Sequence, residues 1–287
     1  MFRHLLSCTT GSVVVVASLF LLPTASEAAS SDCDRNCLHQ VLDAYLASVF
    51  KHDPVNAPLA ENYSATENGA PVVQGDGAWK SVTGYGDLQR RYFDTYNQTA
   101  AYLGLVKKDG KDQIVSLRIK AAGRNVSEAE WIFAYRGPPA GRGEANPAGF
   151  ASNPPPDKII PASERTSRLM LKSLAGSYFQ AVREHDGSWM PRTADCFRRE
   201  NGAPGTRCFE NFEQTRGTFK DFVLQRLPVV DEEAGVVLAV GVFLHFNGAN
   251  YLVHDCFAIR DGKVAGAWLF LHYLPIGAPI TTGWDYR

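Results

Sequence analysis

The sequence has almost no excess of charge of either sign, since 29 Lys and Arg residues face 30 Asp and Glu residues. Without a basic excess there is no electrostatic footprint for a nucleic-acid backbone, so we expect no nucleic acid as a partner. Apolar residues make up 45% of the chain, which is too many for a disordered protein and too few for a multi-span membrane protein. The composition therefore indicates a soluble globular protein of one or two domains.

Several catalytic motifs are missing from the chain. There is no Gly-x-Ser-x-Gly elbow, no phosphate loop ending in Gly-Lys-Ser/Thr, no His-Glu-x-x-His and no Gly-x-Gly-x-x-Gly. The paired Cys-x-x-Cys spacing of zinc sites is missing as well. We therefore expect no cofactor and no metal, which favours proton-transfer or cyclisation chemistry over redox chemistry and equally suits a binding protein.

The N-terminal apolar run, Gly11 to Leu22, has only twelve residues and is too short for a membrane anchor. It follows a short polar start, Arg3-His4, and precedes small residues at Ser26 and Ala28, the positions that a signal peptidase reads. We predict a signal peptide over residues 1–28 and no stable membrane span after its cleavage. The alternative is an uncleaved N-terminal anchor.

Two further features agree with a secreted glycoprotein. Three Asn-x-Ser/Thr sequons begin at Asn62, Asn97 and Asn125, and their use would require exposed asparagines. Removing the signal peptide leaves five cysteines, which proximity pairs as two disulfides with one buried, reduced thiol. The expected pairs are Cys33 with Cys37 and Cys196 with Cys208, and the expected free thiol is Cys256.

Three short motifs recur at one constant offset. Tyr45, His52-Asp53 and Glu67-Asn68-Gly69 reappear 133 residues later, and this common offset indicates two copies of one module. The later copies are Tyr178, His185-Asp186 and Glu200-Asn201-Gly202.

A Pro/Gly-rich stretch at 137–157 separates the copies, and we expect it to be a linker in which neither helix nor strand propagates. The predicted domains are residues 29–136 and 158–287.

Each copy has the same helix-then-strand pattern. Apolar residues at helical spacing predict helices over Cys37–Lys51 and Leu171–Arg183, and Asp53 before Pro54 predicts a second short helix. Strand-like segments follow in each copy, and this order is typical of an α+β fold. We expect two cone-shaped modules, each with N-terminal helices packed on a curved antiparallel sheet. The expected strands are Ile114–Ala121, Val126–Tyr135, Phe219–Val230, Val236–Phe246, Tyr251–Arg260 and Val264–Tyr273.

Each half resembles the SnoaL-like or NTF2-like superfamily, which includes ketosteroid isomerases, scytalone dehydratase and polyketide cyclases. The resemblance depends on a helix ending Tyr-x7-Asp, a loop carrying Leu-Ala, a strand ending in an acidic residue before Asn-Gly, and late strands that close the sheet. The tandem form with Cys-x3-Cys-Leu is similar to secreted fungal proteins, above all the dimerising cyclases of maleidride biosynthesis.

The resemblance implies roles for particular residues. Tyr178 and Tyr45 match a tyrosine that hydrogen-bonds a developing enolate, and Glu200 and Glu67 match the carboxylate that moves the proton. Asp255 matches a second hydrogen-bond donor. The first copy offers Val115 at that position, which cannot donate, so the second copy is the better catalytic candidate.

Simpler structural roles remain open for these residues. The tyrosines could be core residues, the glutamates could bond turn amides, and the His-Asp pairs at the helix ends are explained by helix capping. On a strand, His254 and Asp255 point to opposite faces, so only one enters the cone, and the sequence leaves the choice open. His245 and His272 could line the pocket or the interface between the modules.

The leading hypothesis is a cofactor-independent isomerase or cyclase acting on a small hydrophobic carbonyl or anhydride of polyketide secondary metabolism. Glu200 would abstract a proton while Tyr178 and Asp255 stabilise the oxyanion. The first module would then be a structural partner that packs sheet to sheet as a pseudo-dimer within the chain. The alternatives are a non-catalytic, secreted small-molecule-binding protein, an interaction protein with a filled core, and a dehydratase on the same fold.

Overall fold

The fold is described from a computed structural model that covers residues 32–135, 137, 145–208 and 212–284. The predicted signal peptide lies outside these described residues. No helix among the described residues is long and apolar enough to cross a membrane.

The first module begins with helix α1, Arg35–Phe50. The Asp34 carboxylate accepts a hydrogen bond from the Cys37 amide at 2.8 Å and caps this helix. The apolar face of the helix is buried against the sheet. The other elements are β1 Leu59–Glu67, β2 Ala70–Val72, α2 Ala78–Ser81, β3 Val82–Asp94, β4 Thr99–Lys108, β5 Lys111–Ala122 and β6 Asn125–Phe133.

The second module repeats this order after a short helix α3, Pro147–Ser152. Helix α4, Arg168–Glu184, ends at His185 in the left-handed conformation, with φ 52°. The strands that follow are β7 Arg192–Glu200, β8 Thr206–Arg207, β9 Phe219–Asp231, β10 Val236–His245, β11 Asn250–Arg260 and β12 Lys263–Leu274.

The two sheets have the same topology. Their strand orders are β2-β1-β6-β5-β4-β3 and β8-β7-β12-β11-β10-β9. In each sheet the first strand runs parallel to the last one, and the other neighbours are antiparallel. One face of each sheet packs against its own long helix, and the opposite faces of the two sheets pack against each other. The predicted α+β class with two tandem modules is confirmed.

Two local predictions are wrong. No helix follows Asp53, because the Asp53 carboxylate accepts from the backbone and side-chain nitrogens of Asn56 and closes a single turn just before β1. The predicted linker does contain a helix, α3. Asn146 caps it, Pro147 starts it, and Phe150 is buried with its ring 5.4 Å from that of Phe270.

The contacts between the modules are reciprocal. Asp231 accepts from the Phe93 amide at 2.8 Å and from Arg35 at 2.8 Å. Asp94 accepts from the Val230 amide at 2.9 Å and from both terminal nitrogens of Arg168, at 2.8 and 2.7 Å. Both carboxylates are buried. Such paired contacts describe an approximate twofold axis, as in a symmetric dimer fused into one chain.

The cysteines pair as expected from their proximity. Cys33 is bonded to Cys37 with a Cα–Cα distance of 5.0 Å, and Cys196 is bonded to Cys208 at 5.2 Å. Cys256 is a buried free cysteine.

Candidate active site in the second module

The candidate site lies in the space between α4 and the sheet of the second module, which we call the second cone. Tyr178 is on the buried face of α4, with its ring centroid 4.9 Å from that of Phe257. Glu200 is the last residue of β7, directly before Asn201, whose φ of 48° turns the chain. The helix therefore supplies the tyrosine and a strand end supplies the glutamate.

Strand pairing places Asp255 beside this glutamate. Leu269 of β12 is paired with Glu200 on one side and with Asp255 of β11 on the other. The neighbours of Asp255 at Val253 and Phe257 belong to the same apolar core as Tyr178, so Asp255 faces the second cone. The side chain of Asp255 is fully buried.

His254 points the other way because successive strand residues alternate between faces. It lies between the two sheets, where its Nδ1 is 2.7 Å from Ser116 Oγ and its Nε2 is 3.6 Å from Glu130 Oε1. The structure thus excludes His254 from the second cone. Of the other two strand histidines, His245 lines that cone, and His272 contacts the Phe133 carbonyl at 2.9 Å across the module interface.

Arg198 completes the site, and the sequence analysis missed it. It lies two residues before Glu200 on β7, so both side chains share one face of the strand. Its guanidinium forms an ion pair with the Glu200 carboxylate and a hydrogen bond with the Tyr178 hydroxyl. Comparing the two copies could have revealed it, because the equivalent residue 133 positions earlier is Ala65.

Burial in the second cone raises the pKa values of two groups, the Asp255 carboxyl and the Tyr178 hydroxyl. Burial raises the pKa of the Asp255 carboxyl well above its usual range, with Arg198 opposing and Glu200 reinforcing this effect. Neither oxygen of Asp255 has a hydrogen-bond partner among the described residues. Burial also raises the pKa of the Tyr178 hydroxyl. Both shifts favour the protonated carboxyl and the protonated phenol, the forms that can donate a hydrogen bond.

Arg198 and Glu200 line a small cavity of about 20 Å³ together with Phe219, Phe243, His245 and Tyr251. This space is close to that of a single water molecule. Within the described residues, this cavity has room only for a small reacting group.

The first module has the matching tyrosine and glutamate in a different setting. The Tyr45 hydroxyl is 3.0 Å from the Tyr63 hydroxyl and accepts from Trp131 Nε1 at 3.2 Å, so its hydrogen bonds are used within the core. The ring of Trp79 packs edge-on against Tyr45 at 5.6 Å. Burial raises the pKa of Glu67, with Lys108 opposing this effect. The rings of Tyr63, Trp79 and Trp131 thus surround Tyr45 in the first module.

The first-module counterpart of Asp255 also needs correction. Glu67 is paired with Trp131, and Trp131 is paired with Leu117, so the strand register makes Leu117 the equivalent position. Val115, predicted for this place, lies two residues away on the same face. A leucine cannot donate a hydrogen bond either, so the first module lacks the second donor.

The three sequons differ in their surroundings. Asn62 and Asn125 are exposed. Asn97 is only partly exposed, and its side-chain nitrogen donates to Asp94 at 3.0 Å beside the module interface. Glycosylation remains a prediction at all three, with Asn62 and Asn125 the more accessible.

Comparison with known families gives one match: the family described as "Domain of unknown function (DUF8021)" matches residues 164–266. These residues include Tyr178, Arg198, Glu200 and Asp255. No curated protein sequence matches the chain.

Several solved structures are similar to parts of the chain. A protein of unknown function with a cystatin-like fold from Methylobium petroleophilum PM1 is 15% identical, with a TM-score of 0.33, over 40% of this chain and 80% of that chain. A protein proposed to be a polyketide cyclase from Xanthomonas campestris pv. campestris is 16% identical, with a TM-score of 0.31, over 36% and 91%.

An NTF-2 like protein of unknown function from Burkholderia xenovorans LB400 is 15% identical, with a TM-score of 0.31, over 39% of this chain and 88% of that chain. These identities and scores are too low to assign an activity.

Proposed function

We propose that the second module catalyses proton transfer on a small enolisable carbonyl compound, as a cofactor-independent isomerase or cyclase. The observation that carries this proposal is Asp255, a fully buried acid without a hydrogen-bond partner among the described residues, beside the Arg198–Glu200 pair. An unpaired buried polar group costs stability, so it is retained most readily where it has a use.

The proposed reaction begins with Glu200. Its carboxylate takes a proton from the carbon next to the carbonyl group, so a C–H bond breaks, an O–H bond forms, and the electron pair moves to the carbonyl oxygen. Tyr178 and protonated Asp255 donate hydrogen bonds to the resulting oxyanion. Return of the proton to another carbon gives an isomer. Attack of the carbanion on an electrophilic carbonyl instead forms a C–C bond and an alkoxide, and the alkoxide takes the proton from Glu200 to give a cyclised product.

Arg198 makes a neutral substrate the better fit. Before the reaction its positive charge is matched by Glu200. After Glu200 has taken the proton, the enolate oxygen carries the negative charge and replaces it as the partner of the guanidinium. The total charge in this buried site then stays at zero throughout, which avoids the cost of an unpaired buried charge.

The substrate class we propose is a small hydrophobic ketone, ester or anhydride, such as an intermediate of polyketide metabolism. With a cavity of about 20 Å³, only the reacting group would fit beside Arg198 and Glu200, and the rest of the molecule would have to lie outside that space. Dimerisation of an anhydride, which the sequence resemblance implies, would be one form of the cyclisation step.

The test is exchange of the α hydrogen of small ketones and substituted anhydrides with deuterated water. Wild-type protein should catalyse exchange, and Glu200→Gln should slow it by about 10²–10⁴-fold while retaining affinity for the compound. The matched control is Glu67→Gln in the first module, which should exchange at the wild-type rate. Binding without exchange by the wild type would instead favour a non-catalytic binding protein.

We also propose that the protein is exported. The two disulfides are typical of an oxidising compartment. When the full chain is expressed in a eukaryotic secretory host, the protein recovered from the culture medium should begin near residue 29. Retention of residues 1–28 on a cell-associated product would refute cleavage and export.

A further inference from the structure

A second feature lies at the seam between the two sheets, away from the second cone. The twofold axis gives each side of this seam a counterpart on the other side. On one side the chain fills the groove with its own segment Asn153–Pro156. Three side chains donate to carbonyl oxygens of that segment: Trp268 to Asn153 at 2.8 Å, Arg90 to Pro155 at 2.8 Å and Tyr92 to Pro156 at 2.6 Å.

The opposite side keeps an open cleft of about 330 Å³, which we call the seam cleft. Its volume is at the lower end of the range for small-molecule sites, roughly 300–1,000 Å³. Its charged lining comes from both modules, and Trp284 contributes an aromatic ring. Its lining also includes Arg118, Lys120, Glu128, Arg226, Leu227 and Pro228.

The charge of the seam cleft is specific to this side of the axis. Strand register makes Cys256 the counterpart of Arg118 and Trp268 the counterpart of Glu130. Neither of these counterparts is charged. The charged groups are therefore not a consequence of packing two sheets together, because the same packing is achieved without them on the other side.

The cations of this cluster outnumber its anions. Arg118, only 3% exposed, donates to Glu130 at 3.1 Å and also bonds Glu128, and Arg226 donates to Glu130 at 2.6 Å. Lys120, about half exposed, is 3.9 Å from Glu128. Among the residues that the structure describes, three cations thus share two carboxylates, and one negative charge would complete the balance.

We propose that the seam cleft binds a small organic carboxylate. The carboxylate would face Arg226 and Lys120, and the apolar part would lie against Leu227, Pro228 and Trp284. Arg226 is 26% exposed and Lys120 is 48% exposed, so both cations are reachable from solvent while the cluster beneath them is not. Guanidinium and ammonium groups bind carboxylates through charge-assisted hydrogen bonds.

The test uses benzoate as the probe and benzamide as its neutral counterpart, with binding to the full chain measured by calorimetry. Benzoate should bind saturably, and benzamide should bind at least tenfold more weakly. Lys120→Gln should weaken benzoate binding about fivefold, the loss of one charge-assisted contact. Lys111→Gln, on the same strand but outside the cleft lining, is the matched control and should have no effect.

Three results would overturn this site. They are equal affinity for benzoate and benzamide, no saturation by benzoate, and unchanged affinity in Lys120→Gln. Arg198→Met distinguishes the two cavities: it should leave benzoate binding intact, whereas loss of binding in this variant would move the carboxylate to the second cone. Because Lys120 is half exposed, Lys120→Gln is expected to fold. A change in its affinity for benzoate can then be attributed to the loss of the ammonium group.

Discussion

The two modules share their strand order, their long helix, and the tyrosine and glutamate at matching positions. They differ in the side chains that surround the tyrosine and the glutamate. In the first, the tyrosine hydroxyl is held by aromatic partners. In the second, the same hydroxyl meets a guanidinium, and a buried acid lies nearby. Four pairs of equivalent residues account for the difference: Tyr63 and Cys196, Ala65 and Arg198, Leu117 and Asp255, and Trp131 and Leu269.

This comparison shows that the matching tyrosine and glutamate are not enough to define a site. Both copies have these two residues. Their presence is therefore explained by the internal repeat as well as by a catalytic role. The neighbours decide the role. Aromatic partners that satisfy the Tyr45 hydroxyl make it part of a core. In the second module, burial favours the protonated form of Asp255 near the Tyr178 hydroxyl, which makes both groups candidate donors.

The largest expected effect tests this contrast directly. Glu200→Gln should slow α-proton exchange by about 10²–10⁴-fold, the usual contribution of a general base, whereas Glu67→Gln should leave the rate unchanged. Deuterium incorporation followed by mass spectrometry measures both. Equal losses in the two variants would mean that the modules are functionally equivalent.

A second experiment asks how symmetric the modules are where they meet. Asp94→Ala and Asp231→Ala should each lower the free energy of unfolding by about 3–5 kcal/mol, because each leaves an arginine and a buried amide without their carboxylate. Urea unfolding is the measurement. Asp195→Ala, which removes an exposed partner of Arg260, is the control and should cost less than about 1 kcal/mol. A cost that small at Asp94 or Asp231 would show that the reciprocal contacts do not hold the modules together.

A third experiment exchanges the residues that differ. Asp255→Leu should raise the free energy of unfolding near pH 4 by about 1–3 kcal/mol, since it removes a buried polar group without a partner. It should also abolish exchange activity. Leu117→Asp should destabilise the first module by at least as much, because it places a carboxyl in an aromatic core. If Asp255→Leu destabilised the protein, the acid would be an ordinary structural group.

The smallest effect per measured step is the pH dependence of this gain in unfolding free energy. The pKa of Asp255 is raised in the folded state, so above the ordinary Asp pKa the folded protein keeps a proton that the unfolded chain has lost. Stability contributed by this group is therefore full at low pH and falls as pH rises toward the folded pKa. The advantage of Asp255→Leu over wild type should grow by up to about 1.4 kcal/mol per pH unit above pH 4. Urea midpoints across pH 4 to 8 measure it, and an advantage that shrinks would contradict the assignment.

The sequence predicted the two long helices and the late strands of both modules well, but it missed strands β3 and β4 of the first module. The expected helix Cys37–Lys51 lies close to the observed Arg35–Phe50, because one apolar face at helical spacing is an unambiguous signal. Strand β4, Thr99–Lys108, was not predicted at all. Its residues are buried nearly throughout, by the helix on one face and by the other sheet on the opposite face, so they show no alternation. Its counterpart β10 is buried in the same pattern but was predicted, because it is much richer in valine, a residue typical of strands.

The sequence predicted part of the candidate site. Tyr178 on the helix and Glu200 at the end of its strand both have a counterpart 133 residues earlier. The constant offset between the copies therefore identifies both residues. The choice between Asp255 and His254 depends on strand register, and a one-residue slip exchanges the faces. Only the pairing with Leu269 decides it. Arg198 was hidden because a basic residue on a strand carries no motif of its own.

The segment Asn153–Pro156, which fills one groove at the seam, also joins the modules covalently. Two separate chains with these contacts would part when diluted, since their association depends on concentration. Here the partner is always present at the effective concentration set by the chain between β6 and α4, on the order of millimolar. The melting temperature should consequently be independent of protein concentration, and the second cone should keep its supporting module at any dilution.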